Sequence, residues 1–339
     1  MKKIFVISLA LLACLCGCQK YPKDGGTVRF STATYSLQTK AEEVIDDFPT
    51  ETAIGAYAWK STGAWADETS PAIFMTNVEA GYNGTSEVWE PATTYKWPKS
   101  ANLHFFCYSP YKGTSPFTCS KTALGVSSYT IPSGAGEDLC YSDLTLDQTR
   151  TGETPAPADI LMRHALCKVS FSVEAAEIPS WCYIESYVVK AFTITFSNIL
   201  NQGTFSATAA AGGKWDSPAW SSQTGAAGYT FDSSHNGFIL MPQTLTNTGS
   251  GDQEFRVQCT ATVTLRYADT GDLAEPMDIT IDETHPLYTD SCTAWGVNQH
   301  IRYNLTLNLF DGDMTFSPTL ADWEDTSATI KIGYEDPLI

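Results

Sequence analysis

The chain has 339 residues, a formal net charge of -18, 43% hydrophobic residues and 17% charged residues. That hydrophobic fraction excludes a globally disordered chain, and the length allows two domains of roughly 150 residues each. The acidic balance excludes a phosphate-binding surface, and with it nucleic acid as a partner, and it opposes electrostatic docking on anionic lipid.

At the N-terminus, Lys2 and Lys3 precede an apolar run from Ile4 to Cys16. The run is shorter than the roughly 20 residues that span a bilayer, so residues 1–17 read as a signal peptide. Leu15-Cys16-Gly17-Cys18 resembles a bacterial lipobox, with small residues where a signal peptidase must approach the backbone. Cys18 then takes the lipid and becomes the new N-terminus, with Cys14 as the weaker alternative acceptor. Several acyl chains on one residue anchor stably where a single chain does not. Residues 18–27 follow as a polar, Gly- and Pro-containing tether.

From residue 28 the hydrophobic period is two. Val28 and Phe30 alternate with Arg29 and Ser31, Val169, Phe171 and Val173 with Ser170 and Ser172, and Phe192, Ile194 and Phe196 with Thr193, Thr195 and Ser197. In FRVQCTATVTLRY, Phe255, Val257, Cys259, Ala261, Val263, Leu265 and Tyr267 share one face, and Arg256, Gln258 and the threonines share the other. Ala41, Val44, Ile45 and Phe48 alone have a helix-like spacing. Turn residues punctuate the runs at Gly81–Gly84, Gly212-Gly213 and Gly249–Gly251. Such a pattern predicts strands with one wet face, assembled as antiparallel β-sandwiches. TGETPAPADI (151–160) is Pro-rich and aperiodic and reads as a linker. It divides an N-terminal domain, 28–157, from a C-terminal domain, 158–339.

No catalytic or metal-ligand pattern emerges. The five histidines include no HExxH pair, and GxSxG, the P-loop and GxGxxG are all absent. Asp311-Gly312-Asp313 lacks the spacing of an EF-hand and reads as a tight turn. No enzyme activity, cofactor or metal is therefore expected. Beyond Cys18 the cysteines read as small buried hydrophobes, with Cys107–Cys119 as one conceivable loop closure. The tryptophans, including Trp59, Trp65, Trp89, Trp97, Trp215 and Trp220, are the candidates for sugar-stacking platforms, against a packing role in the core.

Four stretches carry a resemblance. DILMRHALCKVSFSV (159–173) resembles the HALAKV signature of the fimbrillin-like lipoproteins of Bacteroidetes, the subunits of type V pili. NLHFFCYSPY (102–111), GFILMPQTL (237–245) and WGVNQHIRYNLTLNL with a following ADWED (295–309 and 321–325) resemble three further family stretches, in the family's order. Cys167 stands where the family more often has Ala. His164 reads as a hydrogen-bonding core-edge residue rather than a ligand, and Trp323 as a plug for the end of the second sandwich.

The resemblance implies two tandem transthyretin-like sandwiches and a lipoprotein of the outer membrane, exposed in a fimbrium. It implies assembly by donor-strand exchange, in which a trypsin-like protease cuts after Arg or Lys near the N-terminus and another pilin subunit fills the vacated groove. Lys40 is the favoured cut, and Arg29, inside an apparent strand, is the alternative. Ile330, Ile332 and Tyr334 form the donor-strand candidate. The partners implied are other pilin subunits, the protease and, through the lipid, the outer membrane, with a host glycan or protein receptor left open. The alternative reading is a cell-surface glycan-binding lipoprotein.

Overall fold

The computed structural model describes residues 26–37, 43–131, 137–176, 182–232, 235–249, 251–308, 313–321, 323 and 334–335. The chain opens with β1 (Phe30–Leu37), β2 (Glu43–Asp47), β3 (Ile54–Ser61), β4 (Ala72–Asn83), β5 (Val88–Pro91) and β6 (Asn102–Ser109). It continues through β7 (Phe117–Cys119), β8 (Ala123–Thr130), β9 (Cys140–Ser142), β10 (Thr145–Gln148), β11 (Ala158–His164) and β12 (Cys167–Ala175). Next come β13 (Cys182–Ile199), β14 (Gln202–Ala209), β15 (Trp215–Thr224), β16 (Ala227–Phe231) and β17 (Phe238–Leu240). The last are β18 (Glu254–Tyr267), β19 (Met277–Pro286), β20 (His300–Asn308), β21 (Asp313–Ala321) and β22 (Tyr334–Glu335). A 3-10 turn at Ala211–Gly213 is the one helical element among the described residues. The fold is all-β, as the period-two pattern predicts. The helix-like spacing at 41–48 does not make a helix, because Glu43–Asp47 pairs as β2 with β1.

The first sheet runs β10-β6-β3-β4-β5-β1-β11-β9, with β2 on β1, and β9 also pairs with β6. That last pairing closes the sheet into a barrel around Phe30, Ala56, Met75, Trp89, Phe105 and Met162. Strand β6 explains how the barrel is covered. Every residue from Leu103 to Ser109 is buried, which an antiparallel strand with a wet face would not allow. Leu103, Phe105 and Cys107 face the barrel core. Phe106 and Tyr108 face outward into a second core with Phe117, Val126, Phe205 and Trp215. The cover is a separate sheet, β15-β14-β8-β7, which packs over this outer core.

The remaining strands form a sandwich. Sheets β17-β12-β20-β21 and β16-β13-β18-β19 enclose Val169, Phe171, Phe196, Phe255, Val257 and Tyr303. The inward face expected for β18 is the buried one from Phe255 to Leu265, with Tyr267 exposed, whereas on β12 Lys168 and Ser170 of the expected wet face are buried as well.

The strand pairing differs from expectation in two respects. The strand pairing does not follow the 157/158 division. Residues beyond it form β11, which joins the first sheet between β1 and β9, and β14 with β15, which pair onto β8. The change of sheet falls at Ala165-Leu166, inside HALCKV, where β11 ends and β12 begins. The Pro-rich stretch marks a loop before β11, and a proline signal alone cannot tell a loop within a sheet from a linker. Second, the sheets are not wholly antiparallel. β1 pairs with β11, and β12 with β20, in parallel, which long connections permit. Trp323, expected to plug the end of the second sandwich, is buried just past β21. It stacks on His164 with ring centroids 3.6 Å apart. Cys107 and Cys119 are both free thiols. The Asp311–Asp313 turn lies largely outside the described residues.

Candidate functional site

The site that the sequence singles out is the seat of the first strand. Phe30 is fully buried and meets Phe105 edge-on at 5.4 Å. Val28 is also fully buried, and its N–H donates to Tyr95 O at 2.9 Å. Burial of two such side chains contributes roughly 1.5–3 kcal/mol each. Along one edge, β1 runs parallel to β11 through six register pairs, Phe30↔Ala158 to Tyr35↔Arg163. Along the other it meets β5 once, at Phe30↔Trp89, and then the hairpin partner β2 from Ala33 to Leu37. The Ser31 hydroxyl donates to the Asp159 carboxylate on β11. The Thr32 hydroxyl is buried without a hydrogen-bond partner. Leaving such a group unsatisfied costs about 1–3 kcal/mol.

The two candidate cleavage residues fall differently on this seat. Arg29 is half-buried. Its carbonyl accepts from Ala158 N–H at 2.8 Å, and its guanidinium donates to Pro155 O at 3.3 Å. Lys40 lies outside the described residues, in the stretch 38–42 that joins β1 to β2. Cys18, Ile330 and Ile332 also lie outside them. Tyr334 is on β22, which among the described residues pairs with β13 at Tyr187↔Tyr334 and Ser186↔Glu335. The same edge of β13 takes β16 from Ile194 to Ile199.

A second arrangement has the residues of a serine triad but not its hydrogen-bond directions. Ser61, His104 and Asp147 lie together, the His104 ring fully buried, with His104 Nε2 2.7 Å from Ser61 Oγ. Asp147 N–H donates to His104 Nδ1 at 3.0 Å. Nδ1 is therefore the lone-pair nitrogen, Nε2 carries the proton and donates it to Ser61, and Ser61 donates onward to Gly63 O at 2.7 Å. A serine nucleophile needs the opposite tautomer, with Nε2 as base. Burial lowers the His104 pKa, and the nearby Asp147 carboxylate opposes that only in part.

The tryptophans pack inward. Trp65, Trp89, Trp97 and Trp215 are buried. Trp220 is half-buried, donates to Ala165 O at 2.6 Å and packs on Phe205 and Tyr129.

A family model described as fimbrillin-like matches residues 39–323 of the chain. The match starts just past β1. No curated protein sequence matches. Among solved structures, a cell-adhesion candidate from Bacteroides uniformis is 14% identical, covering 89% of this chain and 100% of that one, with a TM-score of 0.46. The tip fimbrial protein Mfa3 of Porphyromonas gingivalis is 9% identical, covering 88% and 100%, with a TM-score of 0.41. The fimbrial anchor protein Mfa2 of the same organism is 12% identical, covering 87% and 99%, with a TM-score of 0.27.

Proposed function

The chain belongs to the fimbrillin-like family, and from that premise we propose that it is a fimbrial subunit whose first strand holds its barrel closed only until assembly. The lipobox delivers it to the outer membrane on Cys18. A trypsin-like protease cuts after Lys40, and the piece that leaves, residues 18–40, carries β1 with it. The barrel then has an apolar slot where Val28 and Phe30 sat, and β11 has a row of unpaired N–H and C=O groups. Both demand an incoming strand. A strand from a second subunit satisfies them, and because the donor and acceptor surfaces differ, the contact repeats into a filament instead of closing.

One observation carries the reading. β1 is the only strand among the described residues that lies ahead of Lys40, and it is built into the barrel core. Supporting it, the unpartnered Thr32 hydroxyl makes β1 an imperfect occupant that a better strand can replace. The family match leaves β1 outside its bounds. For the donor, Ile330, Ile332 and Tyr334 are the candidate, with Tyr334 on the edge strand β22 beside β13. Arg29 is the poorer cleavage site, because a protease must first pull its carbonyl from Ala158. The glycan-binding alternative has fewer platforms to draw on, with Trp65, Trp89, Trp97 and Trp215 buried and Trp220 tied to Ala165.

The test is limited trypsin treatment of the secreted chain, followed by SDS gels after mild heating. The expected result is a ladder of polymers whose subunits begin at Ala41, and no ladder from Lys40→Gln. Wild-type chain cut quantitatively after Lys40 that remains monomeric would overturn the assembly mechanism.

A further inference from the structure

We propose that Asp138, Cys140 and His164 bind a borderline divalent cation of the zinc class at the junction of barrel and sandwich. The three donors reach one point because of the strand pairing. Cys140 on β9 and His164 on β11 are opposite one another in the antiparallel register, and Asp138 lies just ahead of β9. His164 Nδ1 is 2.8 Å from Asp138 Oδ2 and 3.6 Å from Cys140 Sγ. All three ligand atoms lie within 4.8 Å of one another. They border a small cavity of about 60 Å³ walled by Phe48, Pro49 and Thr52. Trp323 closes the site from the ring face of His164, stacked at 12°.

The spacing fits a metal. A tetrahedral ion bonded at about 2.3 Å to sulfur and about 2.1 Å to nitrogen holds the two donors about 3.6 Å apart. The carboxylate stands nearer, at a hydrogen-bonding distance, and needs to move outward by about 0.5 Å to reach the same coordination. Its side chain is partly exposed, so it has room to do so. The ligand-pointing observation is Asp138 Oδ1, which is buried and has no hydrogen-bond partner. A cation takes up that oxygen along with Oδ2. His164 Nε2 is likewise buried without a partner, and its place in the neutral ring is to hold the proton that Nδ1 gives up. On binding, the Cys140 S–H bond breaks, its proton leaves to solvent and a metal–sulfur bond forms. Sulfur, nitrogen and oxygen together suit zinc over calcium or magnesium. A cysteine nucleophile does not fit, because thiol and carboxylate both approach Nδ1, whereas a nucleophile's base needs them on opposite nitrogens.

The test uses the full chain with Cys14→Ser, Cys16→Ser and Cys18→Ser, so that the N-terminal thiols do not compete. Titration with Co²⁺ is expected to give a saturable thiolate-to-cobalt charge-transfer band, which Zn²⁺ displaces. Cys140→Ser is expected to abolish that band and to weaken Zn²⁺ at least about tenfold by calorimetry, as loss of a ligand should. Asp138→Asn, at a partly exposed side chain, should weaken Zn²⁺ while leaving the circular dichroism spectrum unchanged. Cys107→Ser should change nothing. Absence of the band in the parent chain, or equal Zn²⁺ affinity in the parent and both Asp138→Asn and Cys140→Ser, would overturn the site.

Discussion

His104 shows what a single residue adds to this fold. Its ring is fully buried between Ser61 and the Asp147 backbone, so it must be neutral to be cheap there. Burial depresses its pKa in the folded chain below the ordinary value of about 6.5. Above that value the folded and unfolded states agree, and the contribution is intact. As the pH falls toward the depressed folded value, the unfolded chain takes up a proton that the folded chain refuses, and stability is lost. Urea unfolding should therefore show wild type losing stability between about pH 7 and about pH 5, and His104→Gln losing less. Equal losses in the two proteins would contradict this role. The residue scale is also where sequence reasoning ran out. His164 was legible as a hydrogen-bonding residue, but its neighbour Cys140 is on another strand and its partner Asp138 just ahead of that strand, and spacing along the chain carries no trace of a lateral pair. The link between HALCKV and the late tryptophan is similar. Lys168 Nζ donates to Trp323 O at 2.7 Å and His164 stacks on its ring, so two motifs far apart in sequence form one contact.

At the scale of elements, β6 is the test case. NLHFFCYS was legible as a strand, but its unbroken burial was not, because the covering sheet is partly supplied by β14 and β15 from beyond the expected boundary. Strand β3 beside it is shaped to fit. Gly55 stands under the Tyr108 ring, where an added Cβ would lie 2.2 Å from a ring carbon. Tyr108 has little freedom to withdraw, since its hydroxyl donates to Asn77 Oδ1 at 2.6 Å and accepts from Lys112 N–H at 3.2 Å. Gly55→Ala should destabilise by about 1–3 kcal/mol in chemical denaturation. Combined with Tyr108→Leu it should cost less than the sum of the two single changes, because the clash is removed with the ring. Additive costs would contradict the contact. For β18 the outcome was simpler: alternation in sequence became alternation in burial, since both its faces are set by one core and one solvent surface.

At the scale of the whole molecule, composition, period and turn spacing were enough for an all-β chain, and four motifs were enough for the family. What they did not disclose is how the parts join. A parallel partner for β1, a barrel closed by β9 on β6, and a sheet shared across the expected boundary all depend on pairings between distant segments. Those pairings give the assembly reading its physical content. β1 is both the first strand among the described residues and a wall of the barrel, so a cut in the 38–42 stretch separates it from everything it pairs with. Hydrogen exchange on the β11 amides that face β1 tests this most directly, measured in the intact chain, the cut monomer and the assembled polymer. The account predicts protection in the intact chain, its loss once β1 departs after cleavage at Lys40, and its return in the polymer as another subunit's strand takes the seat. Amides of β11 that stay protected in the cut monomer, or stay exchangeable in the polymer, would contradict it.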